Sequence, residues 1–93
     1  MQTFVIRRRS AWASGQELEQ AAARSRRIGD EEMADQVRWI RSYVLAEPDG
    51  RLGTLCVYQA SDPAALQDHA HRVGMPANEI VPVTQTVVIR DDP

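Results

Sequence analysis

The sequence predicts an α+β fold: a four-stranded antiparallel sheet carrying two helices on one face. Three observations carry this reading. A capping box opens a helix at Ser14, a Pro-Asp-Gly turn joins two β-rich runs, and a second helix is punctuated by Asp62-Pro63 at its start and Gly74 at its end. The resulting order is β-α-β-β-α-β, the split βαβ or ferredoxin-like arrangement, on a chain of 93 residues that fits one domain. The domain spans 1–93, with a core of about 3–89 and a frayed tail at 90–93.

Thr3 to Arg7 is a short β-rich run and the first strand. Ser14 can accept a bond from a free amide of the first helical turn, and Glu17 can reach back to the Ser14 amide. Leu18, Ala21, Ala22 and Ser25 follow at helical spacing, a small-residue stripe that lets a helix sit close to a sheet. Gly29 is expected to end this helix, with Asp30 capping one more turn through Met33. Val37 to Ala46 and Leu52 to Ala60 are the second and third strands, joined as a hairpin through Glu47-Pro48-Asp49-Gly50. Ser61 or Asp62 caps the second helix, Pro63 takes its first position, and Leu66, Ala70 and Val73 form its buried stripe. Gly74 stops it in the left-handed conformation and Pro76 prevents its continuation. Ile80 to Ile89 is the last extended segment, one strand or two short ones, because Pro82 cannot donate to a ladder.

Alternation assigns the two faces of the sheet. Ile40, Ser42, Val44, Leu55 and Val57 form an aliphatic set expected beneath the helices. Trp39, Arg41, Tyr43, Thr54, Cys56 and Tyr58 form a mixed set expected on the open face. Such a face suits a homodimer interface, or an organic-ligand pocket built from Trp39, Tyr43, Cys56, Tyr58 and His69.

The net charge is −2, and all eleven basic residues are Arg. Arg7-Arg8-Arg9 reads as a solvated strand end or a phosphate contact. Without a basic stripe interleaved with aromatics, nucleic acid is not an expected partner. No apolar run approaches a membrane span, no signal-peptide pattern opens the chain, and the single cysteine suits a reducing compartment. A cytoplasmic protein without a membrane partner is the expectation.

His69-Ala70-His71 is not a chelate on a helix, because residues two apart point to nearly opposite sides. His69 lies beside the buried stripe, either as a packed histidine bonded to the sheet or as a ligand. His71 lies on the outer side, where it stabilises a helix C-terminus or forms an exposed metal site with Asp68. Cys56 in mid-strand reads as a packed thiol, and the sequence shows no base to activate it.

The run Trp39-Ile40-Arg41-Ser42-Tyr43-Val44, then Cys56-Val57-Tyr58-Gln59-Ala60, His69-Ala70 and Gly74-Met75-Pro76-Ala77, resembles a small bacterial ferredoxin-like family. That family was first catalogued as a domain of unknown function and is often labelled nickel-binding. The resemblance runs from about the first strand to Val83. Its matching residues include Ser42, Tyr43, Cys56, Tyr58, His69, Gly74 and Pro76, of which His69 and Cys56 are ordinary nickel ligands. It implies a homodimer that binds divalent nickel at surface sites.

The leading expectation is therefore a non-enzymatic homodimer that binds a divalent metal, nickel by resemblance, through His69 or His71 with Asp68 and neighbouring carboxylates. The alternative is a small dimeric α/β-barrel enzyme, of the cofactor-free monooxygenase or isomerase type, with its organic ligand near the open face.

Overall fold

The computed structural model describes residues 1–92; Pro93 lies outside the described residues. The elements are β1 (Gln2–Trp12), α1 (Gly15–Glu31), β2 (Val37–Ala46), β3 (Leu52–Ala60), α2 (Pro63–Val73) and β4 (Glu79–Pro82). The sheet order is β2-β3-β1-β4, with every neighbouring pair antiparallel. This is the ferredoxin-like arrangement, and both helices cover the face that carries Tyr58.

The helix starts follow their caps. Ser14 Oγ accepts from the Glu17 amide at 3.2 Å, and Asp62 Oδ1 accepts from the Ala65 amide at 2.8 Å. Gly74 adopts φ +83, and its amide donates to Ala70 O at 2.9 Å, so α2 ends where expected. In contrast, α1 does not stop at Gly29 but runs on to Glu31. Gly29 is buried at the crossing of the two helices, where a Cβ would stand 3.5 Å from His69 Nε2. Its role there is close approach rather than termination.

Two irregularities decide which side chains meet. In β1, pairing jumps from Arg8↔Thr54 to Trp12↔Leu52, with Ser10 between them at φ +49. The strand thereby extends five residues past its expected end, and Trp12 is buried. In β2, Trp39 opposes Tyr58 while Arg41 opposes Val57, so Ile40 is the extra residue of a β-bulge. Beyond the bulge the parity of β2 is reversed. Trp39 and Ser42 share the side of Cys56 and Tyr58, whereas Arg41 and Tyr43 share the side of Val57 and Leu55.

The expected faces are therefore inverted for β3 and for Trp39, whereas Ser42 lies on the helix side and Arg41 and Tyr43 on the outer side, as expected. Phe4, Ile6, Cys56, Tyr58, Leu66, Ile28, Met33 and Val73 form the core beneath the helices. Tyr58 is only 1% exposed, while Ile40 and Val44 are exposed. The physical reason lies in α1. Its inner stripe is Ala21, Ser25 and Gly29, small enough to admit the tyrosine ring, and Ser25 Oγ meets the buried phenol at 3.0 Å. The aliphatic residues Val5, Leu55 and Val57 stand on the opposite face, partly exposed.

The last extended segment forms a single four-residue strand. The Val83 amide donates to Thr3 O at 2.9 Å, and the ladder then ends. Residues 83–92 run beside the outer face, leaving a groove of about 1050 Å³ bordered by Val5, Tyr43 and Val57. Asp92, expected in a frayed tail, accepts from Tyr43 Oη at 2.7 Å and pairs with Arg41.

Candidate functional site

A cleft of about 680 Å³ opens between α1 and the helix-covered side of the sheet. Its floor is built by cross-strand neighbours: Arg8 on β1, Thr54 and Cys56 on β3, and Ser42 on β2. Trp12, Trp39 and Met75 supply apolar walls, and Leu18, Ala22 and Ser25 of α1 form the roof. The bulge at Ile40 is what turns Trp39 and Ser42 toward this space together.

A chain of polar contacts runs along the floor. The Trp39 indole N–H donates to Ser42 Oγ at 2.7 Å, and the Ser42 hydroxyl donates to Cys56 Sγ at 2.8 Å. Arg8 Nη1 approaches the same sulfur at 3.6 Å, and Arg8 Nε donates to Pro76 O at 2.6 Å. Arg8 is 2% exposed, its Nη2 has no hydrogen-bond partner, and no carboxylate among the described residues pairs with it. Thr54 Oγ1, opposite Arg8 across the ladder, is also buried without a partner. Burying an unpaired guanidinium costs on the order of several kcal/mol.

The arginine run is thus neither a solvated strand end nor one basic patch. Arg7 points to the outer face and pairs with Glu47 at 2.5 Å, Arg9 pairs with Glu79 at 2.8 Å, and Arg8 enters the core between them. Arg8 was the functional candidate that motif reading missed. The spacing Phe4, Ile6, Arg8 held the signal, because alternate residues of one strand share a face.

His69 lies deeper, on the inner side of α2 against α1, at 1% exposure. Its ring packs against Tyr58 with centroids 5.6 Å apart, and its Nε2 is 3.0 Å from Ser25 O. The partner is a helix carbonyl, not a sheet group as expected. A carbonyl only accepts, so Nε2 carries the proton and Nδ1 is left bare, buried and without a partner. Burial holds the His69 imidazole below its ordinary value, with Arg8 acting in the same direction against the Ser25 bond. Burial also pushes the Tyr58 phenol up to about 12.

Of the expected metal residues, His69 is set apart from the other two. His71 is exposed on the outer side of α2, apart from buried His69. Asp68 has both oxygens engaged by Arg72, at 3.2 and 3.1 Å, and Arg72 also reaches Glu32 at 3.3 Å. Among the described residues, no group of three or more His, Cys, Asp or Glu side chains is placed to hold a metal ion. The expected pocket set is split as well. Trp39, Cys56 and Tyr58 line the cleft, His69 sits behind Tyr58, and Tyr43 is on the other face. The pocket therefore lies under α1 rather than on an open face.

The family assignment rests on residues 4–83, which match the family model described as nickel responsive protein SCO4226-like. The chain belongs to that family. The SCO4226-like match takes in every element from β1 to β4. Among solved structures, the chain is similar to SCO4226 from Streptomyces coelicolor A3(2), with a TM-score of 0.71 and 21% identity over 91% of this chain and 99% of that one. This likeness shows a shared fold. No curated protein matches the chain. No helix among the described residues is long and apolar enough to cross a membrane.

Proposed function

We propose that this protein is a small, non-enzymatic, nickel-responsive binding protein that works as a homodimer in the cytoplasm. The observation that carries the reading is the match of residues 4–83 to the nickel-responsive family. His71 is the accessible imidazole, and Asp68 lies three residues before it on the same helix, within reach across one turn. One chain offers an incomplete set of donors, so the remaining positions around a bound ion fall to water or to a second copy. Nickel is the ion sensed or carried, not a catalytic group.

Two features support binding rather than catalysis. His69 is committed to Ser25 O, and Cys56 Sγ faces Ser42 and Arg8, so imidazole and thiol do not act as a nucleophile–base pair. Dimerisation is supported by the exposed Val87, Val88 and Ile89 beside an outer face that carries Val5, Leu55 and Val57.

Titration calorimetry with nickel tests the proposal. Wild-type protein should bind saturably, and His71→Ala should weaken binding by about tenfold or more, as expected for loss of an imidazole ligand. His69→Gln should leave nickel affinity unchanged. Absence of nickel binding by the untagged protein would overturn the reading.

A further inference from the structure

We propose that the cleft under α1 binds a small organic carboxylate, with Arg8 taking its charge and Trp12, Trp39 and Met75 its apolar body. The inference is independent of nickel and starts from an electrostatic imbalance. A buried histidine can escape the cost of burial by losing a proton. A guanidinium cannot, since it remains charged at any pH a protein survives. Arg8 is nevertheless placed in line with Phe4 and Ile6 on the core side of β1, where an aliphatic residue would fit without electrostatic cost.

The groups around Arg8 do not neutralise it. Its Nε is bonded to a neutral carbonyl, its Nη1 meets a thiol sulfur, the neutral Tyr58 phenol stands beside the guanidinium, and its Nη2 makes no hydrogen bond. Beside it, the Thr54 hydroxyl is a second buried group without a partner. Both residues border the same cleft, and because Nη2 and Oγ1 are themselves closed to solvent, an entering carboxylate reaches them only by displacing neighbouring side chains. Nη2 and the Thr54 O–H are two donors on neighbouring strands, the number that one carboxylate satisfies with its two oxygens. The unmet donors and the unmet charge thus call for the same occupant.

The surroundings select a monoanion with an apolar body. The cleft wall beside Arg8 holds two indoles and a thioether, surfaces that favour a hydrocarbon or aromatic group. At the rim, Glu19 and Asp30 stand opposite Arg26 and Arg41, and Arg26 pairs with Asp30 at 3.8 Å while Arg41 pairs with Asp92. With both rim arginines paired, Glu19 is left as one net negative charge and the rim offers no free cation. A single interior guanidinium matches one negative charge and leaves a phosphate dianion under-compensated.

The chain's two tryptophans both line the cleft, so intrinsic fluorescence reports its occupancy. The experiment titrates 3-phenylpropionate, its neutral amide and inorganic phosphate into the full-length protein in the presence of a chelator. The acid should give a saturable change, and the amide should bind about tenfold or more weakly, as a lost charge-assisted pair requires. Phosphate alone should give none. Arg8→Met should abolish the response to the acid. Thr54→Val, close in volume, should weaken it severalfold and decides the matter if Arg8→Met does not fold. Equal binding of acid and amide, equal binding of phosphate, no response to the acid up to tens of millimolar, or an unaltered response in folded Thr54→Val would each overturn the proposal. Because the chelator removes nickel, failure here leaves the nickel titration to be judged separately.

Discussion

Trp39 stacks on Tyr58 with ring planes 8° apart and centroids separated by 6.1 Å. The pair spans β2 and β3 directly opposite one another, at the last matched position before the bulge at Ile40. Tyr58 in turn touches both helices, through Ser25 Oγ on α1 and the His69 ring on α2. One tyrosine therefore fixes the sheet against both helices and forms the back of the cleft.

Replacing Tyr58 with Phe should destabilise the protein by about 1–2 kcal/mol, because it removes one buried bond and leaves the Ser25 hydroxyl unpaired. The ring stack would survive. Urea denaturation of the variant should show a lower midpoint with an unchanged slope. A neutral result would mean that Ser25 readily finds another partner.

His69 predicts a pH dependence of folding. Its folded-state value lies below the ordinary 6.5, chiefly through burial. Between the two values the unfolded chain holds more protons, so stability rises with pH across that interval. The contribution is complete above about pH 6.5 and is lost as pH falls through the lower folded value. Protonation would also place a new N–H on Nδ1, which has no acceptor. Arg8 and Arg72 oppose the added charge, while Asp68 favours it. Urea midpoints should therefore fall from about pH 7 to about pH 5, above the ordinary carboxylate range. His69→Gln should flatten that slope; a slope that persists would assign it to other groups.

Gly53 is packed against the outer-face ion pair. A Cβ there would meet Arg8 O at 2.6 Å and Arg7 Nη1 at 2.8 Å, as well as the Glu47 carboxylate. The carboxylate and guanidinium can shift only by breaking their own contact, and the backbone oxygen belongs to β1. Gly53→Ala should cost about 1–3 kcal/mol through overpacking. Thermal denaturation would measure it, and a Tm equal to wild type would show that the ladder yields more easily than its geometry indicates.

Most of the element order was legible because local signals act within a few residues. Ser14 and Glu17, Asp62 and Pro63, and Gly74 each satisfy or spare backbone groups close in sequence. The faces were not legible, because the side of Tyr58 is decided by the small-residue stripe of α1, and the side that Trp39 takes relative to Tyr43 depends on a single inserted residue in β2. Strict alternation cannot register that insertion, since Ile40 is as good a strand residue as its neighbours. The extension of β1 was hidden for a related reason. Arg8 looks solvated in a basic run, and its inward direction follows only when β1 is carried past Arg7 so that Phe4, Ile6 and Arg8 share one face, as the pairing with Thr54 shows. The Asp68–Arg72 contact was available from its four-residue spacing, and it is what separates the expected metal residues from a ready-made site.

Arg72 gives a discriminating test of where nickel binds. It occupies both oxygens of Asp68 and places a positive charge beside His71 on α2. If Asp68 and His71 coordinate the ion, Arg72→Ala should tighten nickel binding by severalfold, because a competitor and a like charge are removed together. Calorimetry at two salt concentrations would separate these effects, since the charge contribution weakens with screening. Unchanged affinity would remove Asp68 from the coordination set.

The proposed dimer makes a prediction about the C-terminal segment. Val87, Val88 and Ile89 are 72%, 70% and 77% exposed, an apolar run that a second copy would cover. Val88→Asp with Ile89→Asp adds two charges to that run without touching the core beneath the helices. Light scattering should report a dimer for the wild type at tens of micromolar and a monomer for the double variant, with an unaltered far-ultraviolet spectrum. Tyr43→Phe, which loses its bond to Asp92, should have a smaller effect, because Arg41 still holds the same carboxylate. A wild-type monomer would refute the dimer directly. A dimer that survives both aspartates would move the interface away from residues 87–89 and onto a surface formed by the strands themselves.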